Sequence, residues 1–161
     1  MGGYSSEYRI SINSGNVVYK NLDRTLYEPY WVHIMQKEWF VVADDDTPYP
    51  INKSDFTVKI GGKVIVFDCV FNTIHGTPGE NGLLQAFLNL VGIPQTSCGF
   101  YQAALTFNKR DLISVLKAYE IKTAINYFLV KGDEVNAVEI VKKVGLPCFV
   151  KANKAGSSFG I

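Results

Sequence analysis

Residues 67–92 read FDCVFNTIHGTPGENGLLQAFLNLVG. Residues 67–75 form a nearly continuous apolar run ending at His75, the pattern of a strand buried on both faces of a parallel sheet. GTPGENG then makes a glycine-rich loop. Leu83, Leu84, Phe87, Leu88 and Val91 recur with helical period, and Gly92 and Pro94 end the helix. Strand, glycine-rich loop and helix in that order mark an α/β sheet. In such sheets ligands gather beyond the carboxyl ends of strands, where helix N-termini present free N–H groups.

Upstream, FTVKIGGKVIVF (56–67) alternates apolar and polar residues on either side of Gly61-Gly62, predicting a β-hairpin closed by a primed turn. Residues 28–42 are rich in aromatic and β-branched side chains and predict two strands broken at Gln36-Lys37. Asp44-Asp45-Asp46 with Pro48 and Pro50 reads as a solvated loop. Nothing around it supplies the ligand frame a metal needs. Residues 5–22 predict a helix capped by Ser5 or Ser6, with Glu7 in its first turn and Ile10, Val17, Val18 and Leu22 inward. Gly15 weakens its continuity. Downstream, the pattern predicts helices over 103–119 and 135–144, and strands over 124–130 and 147–151. The chain ends in the glycine- and serine-rich stretch ANKAGSSFGI.

The chain has 161 residues, 47% hydrophobic and 19% charged, with net charge +1. That describes a globular protein able to bury its own core. The balanced charge gives no reason to expect nucleic acid or an anionic membrane as partner. No apolar run reaches transmembrane length, and the start lacks the layout of a signal peptide. Cys69, Cys98 and Cys148 lack disulfide or zinc spacing. With two of them in apolar runs, reduced core thiols in a cytoplasmic protein are expected.

Three loops have the composition of a phosphate or carboxylate site: residues 2–7, 75–82 and 151–160. Taken singly, each has an ordinary explanation. His75 suits a backbone-bonded core histidine, Glu80 a helix-dipole partner, Lys151 a surface cation, and Ser157-Ser158 a plain loop pair. Together they say more. His75 and Glu80 belong to one strand–loop–helix unit, Lys151 offers a flexible cation for phosphate oxygens, and Gly156-Ser157-Ser158 suits a backbone nest over a polyphosphate. Neither a Walker loop nor a dinucleotide fingerprint is present.

At these loops the chain resembles the D-alanine–D-alanine ligases of the ATP-grasp superfamily. GGYSSEYRISINSG (2–15) is similar to the family's first loop and helix. HGTPGENGLLQAFLNLVGIPQTSCG (75–99) is similar to its HG-x-x-GE-D-G-x-x-Q motif. ALTFNK (104–109) resembles the lysine segment opening the ATP-grasp domain, and GLPCFVKANKAGSSFGI (145–161) its phosphate-covering loop. The resemblance implies a pre-ATP-grasp, Rossmann-like parallel-sheet domain over 1–97 and the opening of the ATP-grasp domain over 98–161. It implies ATP-dependent joining of two D-alanines for peptidoglycan through an acyl phosphate, with Mg²⁺. By the same resemblance Glu7 binds the ammonium of the first D-alanine and His75 lies beside the reacting carboxylate. Lys109 and Lys151 contact ATP phosphates, helped by Gly156 and Ser158. Ser157 joins the loop network that links Glu7 to the active-site cover. A cytoplasmic location and a homodimer are implied too, although the residues do not decide oligomeric state.

Departures from the family pattern are Asn81 for Asp, Gln95 for Tyr and Ala152 for Pro. The family's first strand before Gly2 is missing, which predicts unpaired strand edges and self-association. The chain also stops inside the phosphate loop, before the family's Mg²⁺ ligands, so the 161 residues alone are expected to be inactive. A non-catalytic remnant or ligand-binding domain of the same fold is the alternative. A flavodoxin-like or dehydrogenase-like nucleotide binder is disfavoured by the 56–67 hairpin and the lack of a dinucleotide fingerprint.

Overall fold

Among the described residues, five short β-strands follow one another as a meander after the first helix, each folding back on the last. Helix α1 spans Tyr8–Asn21, and the strands are β1 (Trp31–Ile34), β2 (Trp39–Val42), β3 (Pro48–Asn52), β4 (Thr57–Ile60) and β5 (Lys63–Ile65). Helices α2 (Leu83–Leu90), α3 (Phe100–Phe107), α4 (Lys109–Ala118) and α5 (Ala137–Val144) complete the chain. The structure is a computed structural model that describes residues 1–44 and 46–156. The chain divides into two units, Met1–Ala104 and Leu105–Ile161.

The α/β class is as expected, but the strand pairing differs. Neighbours β1 to β5 all pair antiparallel, in chain order. Among the described residues, parallel pairing is confined to two isolated bridges, Gly2 with Ile34 and Val70 with Gln95. Residues 67–75 form no strand, because side chains take several of their main-chain donors. The Asn72 amide oxygen accepts from Ile74 N–H at 3.0 Å, Thr96 Oγ1 from Asn72 N–H at 3.3 Å, and Ser11 Oγ from His75 N–H at 2.8 Å. Nor is the run buried on both faces, since Ile74 is buried while Phe71 is exposed.

The 56–67 hairpin forms as expected, with β4 and β5 joined through Gly61 and Gly62 at φ of 56° and 84°. Both central residues at positive φ give the primed turn that matches strand twist. Pro48 and Pro50 predict a loop, but a strand, β3, forms there. It pairs with β2 over residues 48–50 and with β4 over 51–52. The prolines therefore stand where only one flank is paired, and a missing N–H is tolerated there.

The core gathers Ile34, Val41, Ile51, Phe56, Val58, Ile74, Leu84, Leu88 and Ile93. Helix α2 lays Leu84 and Leu88 on the sheet, and Phe87 meets the edge of Trp39 at 4.9 Å between centroids. Trp39 in turn donates from Nε1 to the Tyr4 hydroxyl at 2.9 Å, which ties the sheet to the first loop.

Helix α1 is continuous through Gly15, and the face it buries is not the expected apolar one. Ser11 and Gly15 are buried, as is Glu7 at the N-cap, while Ile10 and Val17 are exposed. A Cβ on Gly15 would lie 2.9 Å from Met1 Cβ and 3.1 Å from Thr73 Oγ1. Close approach of the first residues and of the 73–75 segment thus selects small side chains there.

The expected helix over 103–119 is divided into α3 and α4. Asn108 caps α4, its side chain accepting from Asp111 N–H. The expected strands over 124–130 and 147–151 do not form among the described residues. Ile125, Phe149 and Val150 stay exposed. A run of β-formers becomes a strand only when another edge takes its N–H and C=O groups. All three cysteines are free, as expected, but exposed rather than core.

Candidate functional site

Glu7 stands at the N-cap of α1, where the helix dipole favours an anion. Its side chain is only 4% exposed, and among the described residues Oε1 has no hydrogen-bond partner. A buried carboxylate oxygen without a donor is costly. Such an atom is suited to an incoming cation or donor.

The 75–82 loop is brought against Glu7 by serines of the first loop and helix. Ser5 Oγ donates to the His75 carbonyl at 3.1 Å and accepts from Glu7 N–H at 3.2 Å. Ser11, fully buried, accepts from His75 N–H and donates to the Glu7 carbonyl at 3.3 Å. Ser14 Oγ lies 3.3 Å from His75 Nε2. Gly76 has φ of 74°, and a Cβ there would lie 2.8 Å from Ser5 Cβ and 3.3 Å from Glu7 Oε2. Only glycine permits this approach.

The loop is also closed on itself. Glu80 Oε2 accepts from Gly76 N–H at 2.6 Å, and Glu80 N–H donates to the Gly76 carbonyl at 2.8 Å. Glu80 is therefore a clamp within its loop, beyond the dipole partner that its position suggests. Asn81 donates to Thr77 Oγ1 at 3.0 Å, so the departure from Asp still braces the turn. Buried Gln85 and Asn72 both donate to the Gly79 carbonyl. Glu7 and His75 are thus tied together through the Ser5 and Ser11 bridges.

The second unit carries the other candidates. Lys109 Nζ donates to the Ala155 carbonyl at 2.6 Å, and Lys151 Nζ lies 5.4 Å from the Phe149 ring centroid. Asn153 fastens the 151–156 loop to the start of α4. It accepts from Arg110 N–H at 2.9 Å and donates to Asn108 Oδ1 at 2.9 Å. Lys109 is thus held against residues 153–155. Ser157 and Ser158 lie outside the described residues. Among the described residues no three His, Cys, Asp or Glu side chains come together for a metal ion.

Ser11, Ser14 and Asn153 were not singled out from the sequence. For the serines, the one signal was spacing. Positions 7, 11 and 14 fall on one helical face. Asn153 gave no signal, because its partners are 43 and 45 residues away.

The family model described as D-ala D-ala ligase N-terminus matches residues 1–98. The chain is 80% identical over its whole length to the D-alanine–D-alanine ligase of Christiangramia forsetii, covering 49% of that protein. It is similar to the solved D-alanine–D-alanine ligase of Coxiella burnetii, with TM-score 0.80 and 27% identity over 98% of this chain and 52% of that one. A third likeness is to the Bacillus anthracis ligase complexed with ATP, with TM-score 0.64 and 27% identity over 98% of this chain and 47% of that one. The chain spans about half the length of the relatives it matches.

Proposed function

The chain belongs to the D-Ala–D-Ala ligase N-terminus family, and on that premise we propose that it is the N-terminal part of an ATP-dependent ligase that joins two D-alanines. The observation that carries the reading is the buried Oε1 of Glu7 beside the His75 loop, without a hydrogen-bond partner among the described residues. An alanine ammonium supplies what that oxygen lacks, a charge-assisted donor. Its carboxylate then extends toward the loop that carries His75. Burial disfavours a ligand that brings no donor, which would leave the oxygen orphaned, and an ammonium adds opposite charge to the hydrogen bond it donates.

In this reading ATP activates the first carboxylate as an acyl phosphate, and the amine of the second D-alanine displaces the phosphate. Lys109 and Lys151 face the phosphates with Gly156, Ser157 and Ser158. What supports Lys109 in this role is that its Nζ already lies at the loop, donating to the Ala155 carbonyl. No Mg²⁺ ligand set is found among the described residues, and no step is assigned to the metal. The domain division at 97/98, the role in peptidoglycan, the cytoplasmic location and the homodimer belong to the same proposal.

The test is a chimera in which this chain replaces the aligned half of the Christiangramia forsetii ligase. Given ATP, Mg²⁺ and D-alanine, it forms D-alanyl-D-alanine, read by mass spectrometry. A folded chimera that binds ATP and makes no dipeptide would refute the reading.

A further inference from the structure

Two serines of α1 hold His75 from the same side. Ser11 and Ser14 are one helical turn apart, so both face the loop. Ser11 fixes the main chain. Its Oγ accepts from His75 N–H at 2.8 Å and donates to the Glu7 carbonyl at 3.3 Å. Ser14 reaches the ring, with Oγ 3.3 Å from Nε2. Unlike Ser11, Ser14 makes no bond back to the preceding turn. Among the described residues Nε2 of His75 is the sole polar partner of its hydroxyl. The lone pair of Nε2 is thus the acceptor that the described residues offer to that hydroxyl proton.

We propose that Ser14 is a positioning residue that donates to His75 Nε2 and so holds the neutral ring as its Nδ1–H tautomer, while Ser11 anchors the same residue's backbone. The inference rests on the ligase reading for its consequence alone. In that reading His75 meets the reacting carboxylate, and the ring must present a fixed nitrogen to it. A tautomer set by a neighbouring donor is a known means of fixing which nitrogen is protonated. The tautomer itself is a property of the unliganded chain.

The experiment uses ¹⁵N-labelled full chain without ligand, at a pH where the ring is neutral, and reads the imidazole nitrogens by long-range NMR correlation. The chain has 2 histidines, and His33, stacked on Phe40 at 5.2 Å, serves as the internal control. In the unsubstituted chain Nε2 of His75 should show the shift of an unprotonated nitrogen. Ser14→Ala should move the tautomer ratio about fivefold toward Nε2–H, the worth of one hydrogen bond, with His33 unmoved. Ser14→Thr should restore the ratio. A protonated Nε2 in the unsubstituted chain, or a ratio unchanged in a folded Ser14→Ala chain, overturns the proposal. The chimera's dipeptide synthesis reports separately on the ligase reading. An inactive chimera with the expected tautomer shift sinks that reading and leaves the positioning intact.

Discussion

Gly76 decides how closely the loop can approach Glu7. With φ of 74° and Ser5 Cβ 2.8 Å from where a Cβ would lie, Gly76→Ala pays both backbone strain and a clash. We expect it to lower stability by about 1–3 kcal/mol, measured by urea denaturation, with D-alanine use by the chimera falling as well. An unchanged midpoint would show that the loop yields easily. At this scale Glu7 and His75 were legible, since titratable groups beside glycine-rich turns invite attention. Ser11 and Ser14 were not, because serine inside a helix has no preferred meaning until its partner is known. The partner, His75, lies 64 and 61 residues away.

Among the elements, α1 shows why the apolar pattern misled. Its buried face is Glu7, Ser11 and Gly15, chosen for contact with the site loop rather than for oil. Gly15→Ala separates two effects. Helix propensity alone favours alanine by about 1 kcal/mol. The added methyl, however, meets Met1 Cβ at 2.9 Å and Thr73 Oγ1 at 3.1 Å. Overpacking of about 1–3 kcal/mol should win, and the thermal midpoint should drop. A rise would mean that the first residues move aside freely. Phe56 is the corresponding test for the sheet. It is wholly buried and touches the Trp39 and Phe87 rings. Phe56→Ala should cost about 3–5 kcal/mol, read from the urea midpoint. The hairpin was legible because its turn chemistry is local. Strand β3 was obscured by prolines that stand only where one flank is paired. The runs at 124–130 and 147–151 have strand composition, but strand formation depends on an edge that composition does not report.

For the whole molecule, the Met1 amine and His33 make stability depend on pH between about 5 and 8. The Met1 amine donates to the Val32 carbonyl at 2.8 Å, and burial pulls its pKa from 8.0 to about 5. Burial, and then the nearby N-terminal charge, push the His33 pKa below 6.5. Both bind protons more weakly folded than unfolded, so the unfolded chain gains protons as pH falls from about 8 to about 5. Stability should therefore be greatest at the upper end of that window and decline toward its lower end. Urea midpoints across the range measure this, and acetylating the amine should flatten the slope. A flat profile in the unmodified chain would contradict the burial of both groups.

The central claim is that Glu7 seats the ammonium of D-alanine. Its most direct test is kcat/KM for D-alanine in the chimera, with ATP saturating, for Glu7 against Glu7→Gln. The amide keeps the shape but loses the charge, and the account predicts a fall of about 100-fold, the loss of a charge-assisted bond, with KM for ATP unchanged. An undiminished kcat/KM for D-alanine would contradict it.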